Sequence, residues 1–359
     1  MKTDTSYALK AYFKDSVSYC EPYGNGHIND TFLVVCNKRY ILQRMNTNIF
    51  KDVSGLMKNI LTVTNHIRNK AIANGGDEAR CTLLVVPTLS GEMYYTDPLG
   101  QSWRLYEFTE GTVTREAVEN PNDFYSCGYA FGQFGQLLSD MDATLLTETL
   151  PNFHNTPVRF ENLLKSIEKD ACGRRNEVEN EIEFAMARKE FCNLFENARK
   201  QGKLPLKVTH NDTKLNNILF DSESGEAICV IDLDTVMPGY VLCDFGDSIR
   251  FGANTASEDE TDLSKVKFDI SLFETYARGF IKGCAGSLNE TELELLPEGA
   301  IMMTLECGLR FLTDYLDGDV YFKTHRPKHN LDRARNQFAL VQCMENALPQ
   351  MKEIIKGIK

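Results

Sequence analysis

The chain has 359 residues, 42% of them hydrophobic and 25% charged, with a formal net charge of −12. That length exceeds what one hydrophobic core serves, so two domains or two unequal lobes are expected, in a composition typical of globular proteins. The acidic balance argues against a sequence-tolerant nucleic-acid binder, which needs a basic surface. No run of about 18 apolar residues occurs, so no membrane span is expected, and the charged start MKTDTSYALKAYFKDS does not read as a secretion signal. Eleven Cys, none in a C-x-x-C pair, point to reduced thiols and a cytoplasmic location rather than a disulfide framework or a zinc site.

From Ser16 to about Glu110 the pattern is mostly that of strands. VSYCEPYGNGHINDTFLVVC reads as two extended segments around a glycine-containing turn, KRYILQRM as a third, and TLLVVP, EMYYTD and WRLYEF as three more. One long helix interrupts them, from about Val53 to Ala73, with Leu56, Ile60, Val63 and Ile67 in helical spacing. Strands, one helix and hairpin-length turns describe a small, mainly antiparallel N-terminal lobe, residues 1–110, with a hinge at about 106–112.

Residues 111–359 form the expected larger, mainly helical C-terminal lobe of an α+β protein. Helices are expected over Asn122–Met141, Glu177–Gln201, Phe268–Gly283, Glu290–Leu316 and Leu331–Ile358, with short strands in LKVTHND, NILFD and AICVIDLDT. The stretch VTHNDTKLNNILFD packs His, Asp, Lys and three Asn ahead of an apolar segment, a structured loop that delivers side chains to one place. His210, Asp212 and Asn217 fit H-x-D-x-x-x-x-N, and Asp232 and Asp234 follow two residues apart in VIDLDT. Alternation along a strand end would put the last two carboxylates on one face. An amide oxygen with a carboxylate makes a hard-oxygen Mg²⁺ site, and the remaining Asp212 can accept a proton from a hydroxyl. Those are the parts of phosphoryl transfer. Any one of these residues alone would read as a cap or turn residue. The argument rests on the set.

HNDTKLNN, IDLDT and GYVLCDFGDSIR resemble the aminoglycoside phosphotransferase and choline kinase-like group, a branch of the protein-kinase-like fold in which two lobes hold ATP. EPYGNGHIND, RYILQRMNTNIF and CGLRFLTDYLDGDVYF extend the resemblance to the bacterial N-acetylhexosamine 1-kinases, which phosphorylate the anomeric hydroxyl of N-acetylglucosamine or N-acetylgalactosamine with ATP and Mg²⁺. The resemblance implies that Asp212 is the catalytic residue and that Asn217 and Asp232 are the metal ligands. His210 is expected to brace the loop. Asp234 could add to the metal site, bind a sugar hydroxyl or hold the loop, with the sugar favoured. The D-F-G of CDFGDSIR is not the metal motif, because Asp232 fills that slot, so Asp244 is expected as a helix N-cap or loop brace.

On the nucleotide side, Gly24 and Gly26 permit the close backbone approach that phosphates need, and His27 beside them could reach phosphate or sugar. Gln43 occupies the third-strand position where protein kinases carry a Lys. Being neutral, it cannot supply that charge, and the long helix has no Glu to pair with it. The hinge segment around Glu107 and Phe108 resembles the one whose backbone reads adenine, with Tyr106 and Phe108 as candidate purine neighbours or core residues. On the acceptor side, Arg310 lies in an otherwise apolar helix, so it must either pair with Asp314 or face a cavity. With Tyr321 it is expected to line the sugar pocket. The expected partners are therefore ATP and a small sugar, with no nucleic acid and no membrane. No long heptad argues for a dimer, so a monomer is favoured. Other acceptors (choline, homoserine, an aminoglycoside) and a nucleotide-binding regulatory protein are the alternatives.

Overall fold

The computed structural model describes residues 3–24, 28–116, 118 and 120–358. It divides into two compact units: Met1–Thr114 with Asp140–Pro151 and Ile218–Pro238, and Arg115–Ser139 with Asn152–Asn217 and Gly239–Lys359.

In the first unit, helix α1 (Ser6–Tyr12) is followed by β1 (Tyr19–Pro22), β2 (Asp30–Val35) and β3 (Arg39–Met45). Helix α2 (Val53–Ala73) intervenes before β4 (Val85–Val86), β5 (Tyr95–Thr96), β6 (Ser102–Glu107) and β7 (Thr112–Val113). The main sheet runs β1-β2-β3-β6-β4 with β5 also on β6, every pair antiparallel. Alternation explains its two faces. Phe32, Val34, Leu42, Trp103 and Leu105 pack on Ala8 and Tyr12 of α1, where Tyr12 donates its hydroxyl to the Trp103 carbonyl at 3.0 Å. The other face carries a polar row, Thr31, Gln43 and Arg104, in direct register across three strands.

Helix α2 starts at Asp52, whose carboxylate accepts the Gly55 N–H. Its buried Asn59 donates to the carbonyls of Thr147 (2.7 Å) and Val236 (3.1 Å) and accepts the Thr147 N–H (2.8 Å). One side chain thereby fixes the helix to two returning segments of the same unit. The strands Ile218–Asp221 and Ala227–Val230 form an antiparallel ribbon that pairs with β7. They group with the N-terminal elements, which a single cut near residue 110 does not anticipate.

The second unit is helical: α3 (Pro121–Leu137), α4 (Thr156–Lys169), α5 (Glu179–Met186), α6 (Leu194–Lys200), α7 (Val241–Gly252), α8 (Ile270–Cys284), α9 (Glu290–Glu294), α10 (Leu296–Asp317) and α11 (His329–Ile358). Helix α3 opens with a capping box, Asn120 with Asp123. It packs on α8 along a seam of Gly128, Gly132, Gly279 and Gly283, where a Cβ at any of the four would strike the facing backbone. Helix α10 is buried almost all round, which accounts for its nearly continuous apolar run.

Three expectations need correction, the first being that Glu290–Leu316 is one helix: α9 ends at Glu294 and α10 begins at Leu296. Helix α4, capped by Asn155 with Pro157 in its first turn, was not anticipated. Glu177–Gln201 is not one helix, since α5 ends at Met186 and α6 begins at Leu194. No helix among the described residues is long and apolar enough to cross a membrane.

Candidate active site

In the second unit the short strand Lys207–Thr209 runs into the H-x-D loop. His210 is fully buried, its ring edge-on to Phe131 and Phe134, and its Nδ1 accepts the Asp212 N–H at 3.3 Å. Asn211 takes a left-handed conformation, φ 65°, which Asn tolerates better than most residues. Two groups grip the loop there. The Asp244 carboxylate accepts the N–H groups of His210 (2.9 Å) and Asn211 (2.7 Å), and the Asp244 carbonyl accepts the Thr213 hydroxyl at 2.6 Å. The His154 imidazole, only 10% exposed, bridges Glu306 (2.8 Å) and the Asn211 carbonyl (3.0 Å).

Burial, the largest influence on His154, pushes its pKa down, but Glu306 and the Asn211 carbonyl together hold it above the ordinary value. Glu306 is held below its ordinary range: burial raises it, and His154 and Thr156 more than offset that. Asp244 lies inside α7, whose N-cap is Tyr240, so it is the loop brace and not the cap.

Asp212 is thereby presented with its carboxylate partly exposed. One oxygen meets the Lys214 ammonium at 2.6 Å, and the other accepts from the Asn217 amide at 3.2 Å. That amide nitrogen also donates to the Asp212 carbonyl at 2.9 Å. Asn217 therefore spends its nitrogen on the loop, which leaves its oxygen as a hard donor suited to a divalent cation. Lys214 was missed in the sequence. The signal was a basic residue two positions after the Asp, and its charge is the nearest to that carboxylate. Although burial pulls the Lys214 ammonium down, Asp212 and Asp247 hold it above its ordinary value.

In the first unit the strand ends at Val230, and Asp232 turns the chain in a left-handed conformation, φ 58°, into a 3₁₀ turn over Leu233–Thr235. The expected shared strand face for Asp232 and Asp234 is therefore not formed. Asp232 is exposed and Asp234 buried. Asp234 meets Arg104 at 2.5 Å and accepts from Asn29 at 2.7 Å. Of the three parts open to it, holding the loop is the one its contacts describe, in place of the favoured sugar contact. Among the described residues no group of three or more His, Cys, Asp or Glu gathers to hold a metal.

Gly24 has φ 75°, a conformation that needs glycine. Gly26 and His27 lie outside the described residues. Gln43 donates to the Thr31 hydroxyl at 3.0 Å and accepts twice from Arg104, at 2.9 and 2.8 Å. At the hinge, the Glu107 N–H goes to the Leu84 carbonyl (2.9 Å) and the Phe108 N–H to that of Arg39 (3.1 Å). Neither N–H is left to read a base edge. The Phe108 ring lies under the Arg39 guanidinium and against Tyr23, and Tyr106 is core.

On the acceptor side Arg310 is not paired with Asp314. That carboxylate is consumed by the N–H groups of Val320, Tyr321 and Phe322 and by Asn330, at 2.7–2.9 Å, which shapes the turn that presents the exposed Tyr321. The Arg310 guanidinium lies over three rings, Phe153, Tyr321 and Phe322, at 5.3–5.8 Å from the ring centroids, and its charge also helps hold the Glu306 carboxyl down. Burial and the charge of Arg310 both push the Arg159 guanidinium down, which puts a second cation nearby. Arg159 was also missed, because α4 was.

The profile of the phosphotransferase enzyme family matches residues 20–278, and the chain belongs to that family. Similar solved structures include a microcompartment-associated aminopropanol kinase, with TM-score 0.60, 15% identity and coverage of 96% of this chain and 97% of that one. An aminoglycoside phosphotransferase from Alicyclobacillus acidocaldarius gives TM-score 0.61 at 13% identity, covering 99% and 97%. An amicoumacin kinase in complex with AMP-PNP and Ca²⁺ gives 0.58 at 16%, covering 94% and 92%. At these identities the likeness is one of fold, the protein-kinase-like α+β fold.

Proposed function

We propose that the protein transfers the γ-phosphoryl group of ATP, with Mg²⁺, to the anomeric C1 hydroxyl of an N-acetylhexosamine. Arg310 in its aromatic surround, in no hydrogen bond or salt bridge among the described residues, carries the choice of acceptor. An amine acceptor, of the kind the aminopropanol kinase and the aminoglycoside phosphotransferase are named for, would meet a repelling guanidinium there, with Arg159 adding to it. A neutral sugar instead finds bidentate donors for its oxygens and rings for its C–H faces.

In this reading Asp212 orients the C1 hydroxyl and takes its proton as that oxygen attacks the γ-phosphorus and the bond to the ADP oxygen breaks. Lys214, held at Asp212, would balance the charge of the transferred phosphoryl group. Asn217 and Asp232 are the residues that would hold Mg²⁺, which when bound would neutralise the phosphates. The amicoumacin kinase complex with AMP-PNP and Ca²⁺ supports nucleotide and divalent-cation use by this fold.

The test is phosphate transfer from ATP and Mg²⁺ to N-acetylglucosamine, N-acetylgalactosamine, glucose, galactose, choline and homoserine. Formation of a sugar 1-phosphate that falls about 10²–10⁴-fold in Asp212→Asn is the expected result. Transfer to choline or homoserine alone would overturn the acceptor assignment.

A further inference from the structure

The third-strand position of this fold holds Gln43, so the positive charge a lysine would bring there is missing from that strand. It is present on the next one. Arg104 stands directly across from Gln43 in the β3–β6 register, its side chain only 1% exposed. The Gln43 carbonyl oxygen accepts from both Nε and one Nη of Arg104, and its amide nitrogen is anchored on Thr31. The guanidinium so aimed meets Asp234 at 2.5 Å, and it feels the charge of Asp232 as well. A buried arginine is tolerable only beside partners of this kind.

We infer that Arg104 is the positioning cation of the nucleotide site: it replaces the third-strand lysine, with Gln43 as its orienting partner and the Asp232–Asp234 turn as its cargo. The inference rests on the kinase reading above. Its logic fixes the residue type at 43. The position must accept two N–H groups, which Gln does and Lys cannot. A lysine beside Arg104 would also bury two like charges together. Asp232 turns the chain in a left-handed conformation just after the strand has ended. Asp234, two residues on, is the handle through which the sheet holds it. Arg104 therefore acts on the cation and the phosphates through the turn, and its loss should be read mainly in metal-dependent nucleotide affinity.

The experiment compares full-length wild type, Arg104→Met, Arg104→Lys, Gln43→Lys and the double variant Gln43→Lys/Arg104→Met. Calorimetry measures ATP binding with Mg²⁺ and with EDTA, and circular dichroism and the fluorescence of Trp103, the sole tryptophan, report folding. Arg104→Met and Gln43→Lys should each weaken MgATP binding about tenfold or more, and Arg104→Met should shrink the Mg²⁺-dependent gain over EDTA. The double variant restores one cation opposite Asp234 and should return to within about threefold of wild type. Wild-type affinity in Arg104→Met, or a double variant as weak as the sum of its parts, would overturn the inference. So would failure of Arg104→Met, Arg104→Lys and the double variant all to fold, because the ion pair would then be structural only. Wild type that binds no nucleotide at all would instead overturn the kinase reading, and this inference with it.

Discussion

Replacing Asp244 by Asn keeps the shape of the side chain and reverses one hydrogen bond. In the native protein the two carboxylate oxygens accept the His210 and Asn211 N–H groups at 2.9 and 2.7 Å. An amide offers one oxygen and turns an NH₂ toward the other backbone donor, which is buried and left without an acceptor. A hydrogen bond to a charged group is worth about 1.5–3 kcal/mol, and an unsatisfied buried donor costs about 1–3. Burial holds the Asp244 carboxyl above its ordinary value, so the neutral amide recovers part of that as relieved desolvation. The net is about 2–4 kcal/mol, or roughly a 30- to 1000-fold easier local opening. The assay is hydrogen–deuterium exchange of the peptide spanning residues 207–217, read against distant peptides as controls. Faster exchange there, with phosphoryl transfer falling in step because Asp212 follows directly on the gripped residues, is the expected outcome. Exchange indistinguishable from wild type in that peptide would refute the assignment of Asp244 as the loop brace.

Two further predictions concern the second unit. Gly132→Ala puts a Cβ on the backbone of Phe280 and Cys284 and should cost about 3 kcal/mol or more in urea unfolding. Gly135→Ala, on the same helix with open space around it, should gain about 0.5–1 kcal/mol; equal effects would deny the close seam. The His154–Glu306 pair makes stability depend on pH, with the sign set by two opposite shifts. His154 is held above its ordinary value of 6.5, so its contribution is full below 6.5 and fades as pH rises through the folded value. Glu306 is held below 4.5, so its contribution is full above 4.5 and is lost as pH falls. The stability gap between wild type and His154→Gln should thus be widest at about pH 4.5–6.5 and narrow toward pH 9. Parallel stability–pH curves would count against the pair.

Where hydrophobic period and turn residues agreed, the sequence was readable: the strands of the first unit, the apolar stripe of α2, and α8, α10 and α11. Glu177–Gln201 misled because every residue in it is compatible with a helix and neither Gly nor Pro marks the break after Met186. Conversely α4 carried a clear start, Asn155 before Thr156 and Pro157, and was passed over. The loop residues His210, Asp212 and Asn217 were legible because their chemistry is local in sequence. Asp234 and Gln43 were not, because what each does is decided by Arg104, a partner 130 residues from one and 61 from the other. An arginine in the middle of a buried strand, WRLYEF, was the available warning. The same holds for Arg310, whose freedom from Asp314 follows from a turn that takes up the carboxylate with N–H groups six to eight residues beyond Asp314.

The glycine seam between α3 and α8 constrains how this protein can change over generations. At Gly128, Gly132, Gly279 and Gly283 an added methyl group meets main chain. No compensating side-chain replacement on the opposite helix can make room, because there is no side chain to trim. Each of the four positions is therefore closed to single-step substitution, and the spacing of the two helices is inherited as a fixed quantity. Drift toward a new acceptor has to be accommodated elsewhere, in α4, along the exposed side of Arg310 and in the turn bearing Tyr321, where side chains face side chains or solvent and one replacement can answer another.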